Sequence, residues 1–523
     1  MKDVPKIPIL FILAFLFTGC GQNPAGEPLL DSLPETEGVS SQGIIDFLKA
    51  ADDCQGEFHS FLFLRHGRVI AEAYWAPYTA DLRNTLYSAT KSFTSTAVGL
   101  AVSEGKLSVD DPVVSFFKDE LPDTLTEYQS MLTVEDLLTM SAGQDPIHGT
   151  IASEPDWVKV FWQTPIKYEP GTVFRYSSLC SHMLSAIVQE ATGEKLSDYL
   201  GRRLFEPLGI EGWDWETDPQ GINTGGWGLR LKSGDMARFG QMLLREGEWQ
   251  GKQVVPAGWI HEAGSKKIQQ RPELPQAVKD SSDWLQGYGY QFWQCRHNAF
   301  RADGANGQFI VVMPDQDAVV VITSETIGGQ YGGMRDELNL VWEYLLPVMH
   351  PEPLPPDPAA YDRLREKMAS LDLPVPPSAG DPDLMNKYVG RSFSFNSDSV
   401  GIKTLSFGLN GDTLLVKTQA ADEEFSLRFG ADFWLKGETM MDGSFLFPGR
   451  ETIRGPAPPH RVAGAFRRTP EGKMQLFLRY LETPHTVVLT CSCDGEEFMI
   501  EPFFSRNPRM QVPSLTGKMM QIQ

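Results

Sequence analysis

The chain has 523 residues with a formal net charge of −22, and it is 41% hydrophobic and 11% aromatic. That length exceeds one ordinary domain, so two or three are expected, with enough apolar residues for sizeable cores. The sequence pI is 4.9 and no basic cluster opposes the excess of Asp and Glu, so nucleic acid is excluded as a partner and the acidic residues read as a solvated surface.

Residues 1–20 begin with two lysines and an apolar run from Ile7 to Phe17, then Thr18-Gly19-Cys20. The run is short for a bilayer span and ends in small residues, the pattern of a cleaved signal peptide. Cys20 after Thr-Gly resembles a bacterial lipoprotein box, departing from it at Phe17, where that box usually has Leu. The resemblance implies that Cys20 is acylated. The protein would then be exported and held at the bacterial cell envelope, periplasmic or outer-membrane facing, by a lipid anchor alone. Residues 21–41 are small, polar and acidic, and read as a tether.

A first domain is expected over 42–349. "SFLFLRHGRVIAEAYW" (60–75) predicts a hairpin turning at His66-Gly67, and "QFIVVMPDQDAVVVIT" (308–323) predicts a second around 314–317. Helical periodicity lies between them, so the pattern predicts an antiparallel sheet completed from both ends of the domain and flanked by helices. Residues 350–383 are proline-rich around a short helix and read as a linker. Over 384–505, alternating runs are punctuated by Asn-Gly, Asp-Gly and Glu-Gly, which predicts a separate all-β domain, a sandwich or small barrel. Residues 506–523 read as a tail. Besides Cys20 there are five cysteines (54, 180, 295, 491 and 493), an odd number without framework spacing. No Cys-x-x-Cys or His-Glu-x-x-His occurs, so neither a metal site nor another cofactor has sequence support.

The chemistry is sought in "YSATKSF" (87–93). Phe93, Ala97, Val98 and Ala101 recur at helical spacing and Gly105 stops the run, so Ser88 opens a buried helix with Lys91 one turn on. A desolvated lysine has a lowered pKa and can act as a base toward the serine. The spacing alone is weak. Ser103–Lys106 and Ser115–Lys118 share it, the former at a helix end and the latter in a surface helix. Ser88 also suits a plain helix-capping hydroxyl.

A second feature favours catalysis. "YEPGTVFRYSSLCSHMLSAIVQEATG" (168–193) holds Tyr176 on a loop just before a helix whose buried stripe is Leu179, Met183, Leu184, Ile187 and Val188. A tyrosine beside a lysine can relay protons between nucleophile and leaving group. Ser178, two residues on, reads first as a helix cap.

Ser-x-x-Lys, followed by Tyr-x-Ser after a Pro-Gly-Thr turn, resembles the serine β-lactamase and penicillin-binding-protein family. The branch it looks most like is class C with its esterases and amidases, including the 6-aminohexanoate-oligomer hydrolase type. "LTVEDLLTMSAG" (132–143), residues 225–259, "GYGYQFW" (287–293) and residues 300–324 follow in the expected order. The resemblance implies a two-lobed α/β (α+β) hydrolase over about 42–350, with catalytic Ser88, Lys91 and Tyr176. It also implies a substrate-binding role for Ser178 and Gly304, and an oxyanion hole from the N–H groups of Ser88 and Ala305. The family's third motif carries a Lys or His on a strand. Lys232-Ser233-Gly234 opens a helix, so Ala302-Asp303-Gly304 is the better match. It lacks the cation, and Arg301 should point to the other strand face. That favours uncharged amides or esters over β-lactam carboxylates. The substrate expected is therefore a small-molecule or peptide-like amide or ester. A slowly acylating, penicillin-recognising sensor or scaffold is the alternative. A D-alanyl carboxypeptidase fits the Ala302 position poorly, and a Ser-His-Asp hydrolase lacks a Gly-x-Ser-x-Gly elbow, Thr139–Gly143 coming nearest.

Overall fold

A computed structural model describes residues 29–54, 56–145, 154–326, 334–395, 402–420, 423–441, 458–505 and 512–520. Cys20 and the apolar run before it lie outside the described residues.

The first domain is organised on a seven-stranded sheet. Its strands are β1 (Leu30–Asp31), β2 (Gly56–Arg65), β3 (Arg68–Tyr74), β4 (Trp293–Gln294), β5 (Phe300–Gly304), β6 (Gln308–Met313) and β7 (Ala318–Thr326). Their order is β1-β3-β2-β7-β6-β5-β4, antiparallel except where β1 runs parallel to β3. Strands from both ends of the domain thus meet at the β2–β7 pair, as the two hairpins predicted.

Alternate residues of these strands feed two cores. Phe61, Phe63, Phe309, Val311, Val320 and Ile322 pack with α1 (Ser41–Asp53) and the helical segment around Val341. Leu62, Leu64, Ile310, Val312, Val319 and Val321 pack with α2 (Thr90–Ser103) and α3 (Ser178–Thr192). Cover on both faces is why β6 and β7 read as unbroken apolar runs. Helix α2 is wrapped on nearly every side. Small residues permit this: a Cβ on Gly99 would lie 2.3 Å from the Trp259 ring. Two of its buried hydroxyls bond neighbouring loops, Ser92 donating to Gln291 O and Thr94 to Gly225 O, each at 2.8 Å.

The second domain is a ten-stranded sheet, antiparallel along its order and closed into a barrel where Glu423–Ala431 also pairs, in parallel, with His460–Arg468. Its core includes Phe393, Phe407, Leu414, Phe498 and Ile500.

Three expected connectors contain docked elements among the described residues. Within the tether expected over 21–41, Leu30–Asp31 adds a strand to the sheet, and the Glu35 carboxylate accepts from Ser41 N (2.8 Å) and Ser41 Oγ (3.0 Å). The linker expected over 350–383 carries α4 (Pro358–Ala369), and Leu364, Leu371 and Leu373 are buried in the second core of the sheet. These leucines outweigh the prolines around them. The tail expected over 506–523 supplies the strand Leu515–Met519, which pairs with Ser392–Phe395 and Glu497–Phe504.

Candidate active site

Strand Arg83–Thr85 leads to Leu86, whose N–H donates to Leu229 O (2.9 Å) and fixes the approach to Ser88. Tyr87–Ala89 form one 3-10 turn before α2, and Tyr87 holds a left-handed φ of 47°. Ser88 is half-buried at this corner.

Lys91 is 1% exposed. Its Nζ donates to Ser88 Oγ (3.1 Å), Ser178 Oγ (3.1 Å) and Gly226 O (2.7 Å). Burial lowers its pKa to about 7, against the smaller opposing influence of Cys180 and Asp303. At neutral pH a sizeable fraction is therefore neutral amine, with a lone pair to accept the Ser88 proton.

The pair is unique among the three with this spacing. Ser103 and Ser115 are exposed and donate to Leu100 O and Pro112 O, while Lys106 and Lys118 face solvent. Ser115 sits on a single 3-10 turn rather than the expected surface helix. Ser141, in the near-elbow, is fully enclosed and bonded to the Thr139 hydroxyl (2.7 Å).

Ser178 corrects an expectation. The capping position of α3 belongs to Ser177, and Ser178 is the first helical residue, with its hydroxyl on Lys91. Tyr176 stands just before it, its ring centroid 5.0 Å from Lys91 Nζ. The loop is anchored by Arg175 N donating to Met140 O (2.7 Å) and Ser177 N contacting Met140 Sδ (3.3 Å). Trp293 (5.5 Å) and Tyr288 (6.3 Å) flank the Tyr176 ring.

Gly226 was missed as a site residue. Its carbonyl is the shortest of the three Lys91 contacts, and a Cβ there would lie 3.0 Å from Ser178 and 3.3 Å from Lys91 Nζ. At Gly225 the Cβ would meet Ser181 O at 2.0 Å. The Gly225-Gly226 pair was the available signal, since adjacent glycines mark close backbone approach.

Strand β5 borders the corner. A Cβ on Gly304 would lie 2.1 Å from Leu86 O, so only glycine fits there. Ala305 follows in the turn to β6, half-buried. The turn is braced by Ser324 Oγ donating to Asn306 O (3.0 Å) or Gly307 O (3.1 Å). Asp303 is buried, and burial raises its carboxyl pKa against the pull of Arg301. Arg301 is fully buried on the same strand face and donates to Asp303 Oδ2 (2.8 Å), Asp283 O (2.9 Å) and Cys295 Sγ (3.1 Å). Its guanidinium, spent on these partners beneath Trp284, does not replace the missing cation.

A β-lactamase family model matches residues 59–340, more than half of the chain, and the chain belongs to that family. It is 26% identical over 285 residues to the 6-aminohexanoate-dimer hydrolase of Paenarthrobacter ureafaciens, covering 50% of this chain and 71% of that protein. It is also 26% identical over 234 residues to a "Putative D-alanyl-D-alanine carboxypeptidase" of Escherichia coli O157:H7, covering 38% of this chain and 54% of that protein. Among solved structures, a "Putative 6-aminohexanoate-dimer hydrolase from Bacillus anthracis" superposes with a TM-score of 0.51 at 20% identity, covering 62% of this chain and 88% of that one. The chain is a β-lactamase-family hydrolase with an added C-terminal barrel.

Proposed function

We propose that the protein is a cell-envelope serine hydrolase that cleaves amide or ester bonds through an acyl-enzyme on Ser88. The observation that carries this reading is the water-free amine of Lys91 on the Ser88 hydroxyl. Ser88 Oγ attacks the substrate carbonyl carbon as its proton passes to Lys91, with Tyr176 as the relay. The carbonyl oxygen becomes an oxyanion, held by the N–H groups of Ser88 and Ala305. Tyr176 then protonates the departing amine or alcohol. Water, deprotonated by the same groups, attacks the ester and releases the acid and free Ser88.

The substrate is a small or peptide-like amide or ester without a carboxylate beside the scissile bond. Ala302 stands where a carboxylate-binding cation is usual, and Arg301 is already paired with Asp303. That argues against a D-alanyl carboxypeptidase, while the likeness to a 6-aminohexanoate-dimer hydrolase supports amide cleavage. The envelope address rests on the lipoprotein-type N-terminus ending in Cys20.

The test is a panel of p-nitrophenyl esters, amides, D-amino-acid peptides and β-lactams, with fluorophosphonate labelling. Ser88→Ala should lose labelling and turnover by a factor of order 10³ or more. Turnover at the parent rate in Ser88→Ala would refute the assignment. Labelling that persists without release would indicate a slow sensor instead.

A further inference from the structure

The loop between two barrel strands, Met474–Tyr480 and Thr486–Asp494, lies along the segment that delivers the nucleophile. Glu482 O accepts from Thr85 N (3.2 Å), and the Glu482 carboxylate takes the Arg83 guanidinium at 2.7 and 2.8 Å. Thr483 O accepts from the Tyr78 hydroxyl (3.3 Å). At the end of this run, His485 is bonded through Nε2 to the hydroxyl of Tyr87. Its Nδ1 contacts Glu325 Oε1 at 2.8 Å, and the Ser505 hydroxyl donates to the same oxygen. A carboxylate can only accept, so Nδ1 carries a proton, and when the ring is neutral Nε2 accepts from the phenol.

Tyr87 precedes Ser88 directly and holds a φ of 47°. A bulky side chain rarely adopts that region unless its surroundings impose it. The imposing contacts come from both domains. Glu325, at the end of β7, orients His485, which is 4% exposed, and His485 holds the phenol that sets the turn carrying Ser88.

We infer that the barrel is a working part of the hydrolase site, and that His485 is a positioning residue which acts through Tyr87 to aim Ser88. The inference rests on Ser88 being the nucleophile. Nothing about the chemistry of Lys91 requires the barrel, so the two ideas separate by experiment.

The test uses the full chain and measures kcat and KM on a p-nitrophenyl ester, the rate of Ser88 labelling by a fluorophosphonate, and Tm. His485→Ala should lower kcat and labelling by about 10- to 100-fold with KM within about twofold, because a small misplacement of a reacting atom is costly. Tyr87→Phe, which keeps the ring and its packing, should lose a similar factor, and the double variant no more than either single one. His485→Gln, whose amide reaches the position of Nε2, should recover most of the loss. Arg461→Ala, which removes only the exposed pair with Asp81 across the same interface, should leave kcat unchanged. If His485→Ala and Tyr87→Phe label at the parent rate while Ser88→Ala is silent, this inference is overturned and the catalytic reading stands. If Ser88→Ala itself turns over at the parent rate, the catalytic reading falls first.

Discussion

Strands of the hydrolase sheet and strands of the barrel meet water differently. Every residue of β6 and β7 is buried, whereas a barrel strand such as Ile402–Asn410 alternates buried and open positions. A doubly covered sheet supplies depth, and α2 lies in that depth with Lys91 stripped of water among hydroxyls and a carbonyl. The barrel interior is instead lined by Phe393, Phe407 and Phe498, and its buried Arg479 and Glu482 lie at the seam with the hydrolase domain. One region uses burial to lower the pKa of an amine, while the other places buried charge against its neighbour.

The largest break of this contrast is at the amine. Lys91→Ala should reduce kcat/KM by a factor of order 10³ while thermal unfolding stays cooperative. The parent's kcat/KM should fall as pH drops through about 7. Desolvation has brought the Lys91 pKa down to that value, and acid returns the proton that blocks the base. A profile flat from pH 5.5 to 8.5 on a neutral ester would show that Lys91 is not the group that titrates in catalysis.

Much of this site was legible because it rests on local rules. The helix just after Ser88, the stripe through Leu179 and Val188 and the two hairpins follow from spacing and turn chemistry, whereas the Gly304 strand edge came from the resemblance to the family. Ser178 was misread because a serine at a helix start satisfies either a backbone N–H or a side chain on another helix, and only the tertiary fold decides. Gly226 and His485 were illegible for a related reason. Their partners are 135 and 398 residues away, joined by single hydrogen bonds that leave no period in the sequence. The linker and tail were misjudged because proline content and chain position were weighed above the few apolar residues that dock them.

The next effect concerns the seam. Arg479, 5% exposed, donates to both Glu57 oxygens at 2.6 and 2.9 Å and stacks over Trp434. Burial alone would push the Glu57 carboxyl up, but Arg479 and His59 hold it down at about 2. Arg479→Met should strand the carboxylate and cost about 3–5 kcal/mol, splitting one calorimetric transition into two. Because the folded pKa is depressed from 4.5, the parent's stabilisation from Glu57 is present above that value and is lost as pH falls toward about 2. Arg479→Met should lack that acid dependence. Leu414→Ala, deep in the barrel, should cost about 2–4 kcal/mol through its cavity, and should act on the barrel's transition without changing the pH profile of hydrolysis.

The smallest expected effect gives the cleanest comparison. Arg461 pairs with Asp81 across the same seam as Arg479 and Glu57, with the same charges and nearly the same shortest distance, 2.5 against 2.6 Å. The difference is water: the Arg461 and Asp81 side chains are 42% and 66% exposed, against 6% and 24% for Arg479 and Glu57. An exposed pair gains little beyond its solvated alternatives, so Arg461→Ala should change stability by less than about 1 kcal/mol, and salt should erase even that. Equal losses for Arg461→Ala and Arg479→Met would mean that contact alone holds the two domains together, whereas a several-fold difference would assign the seam's strength to the charges that folding removed from solvent.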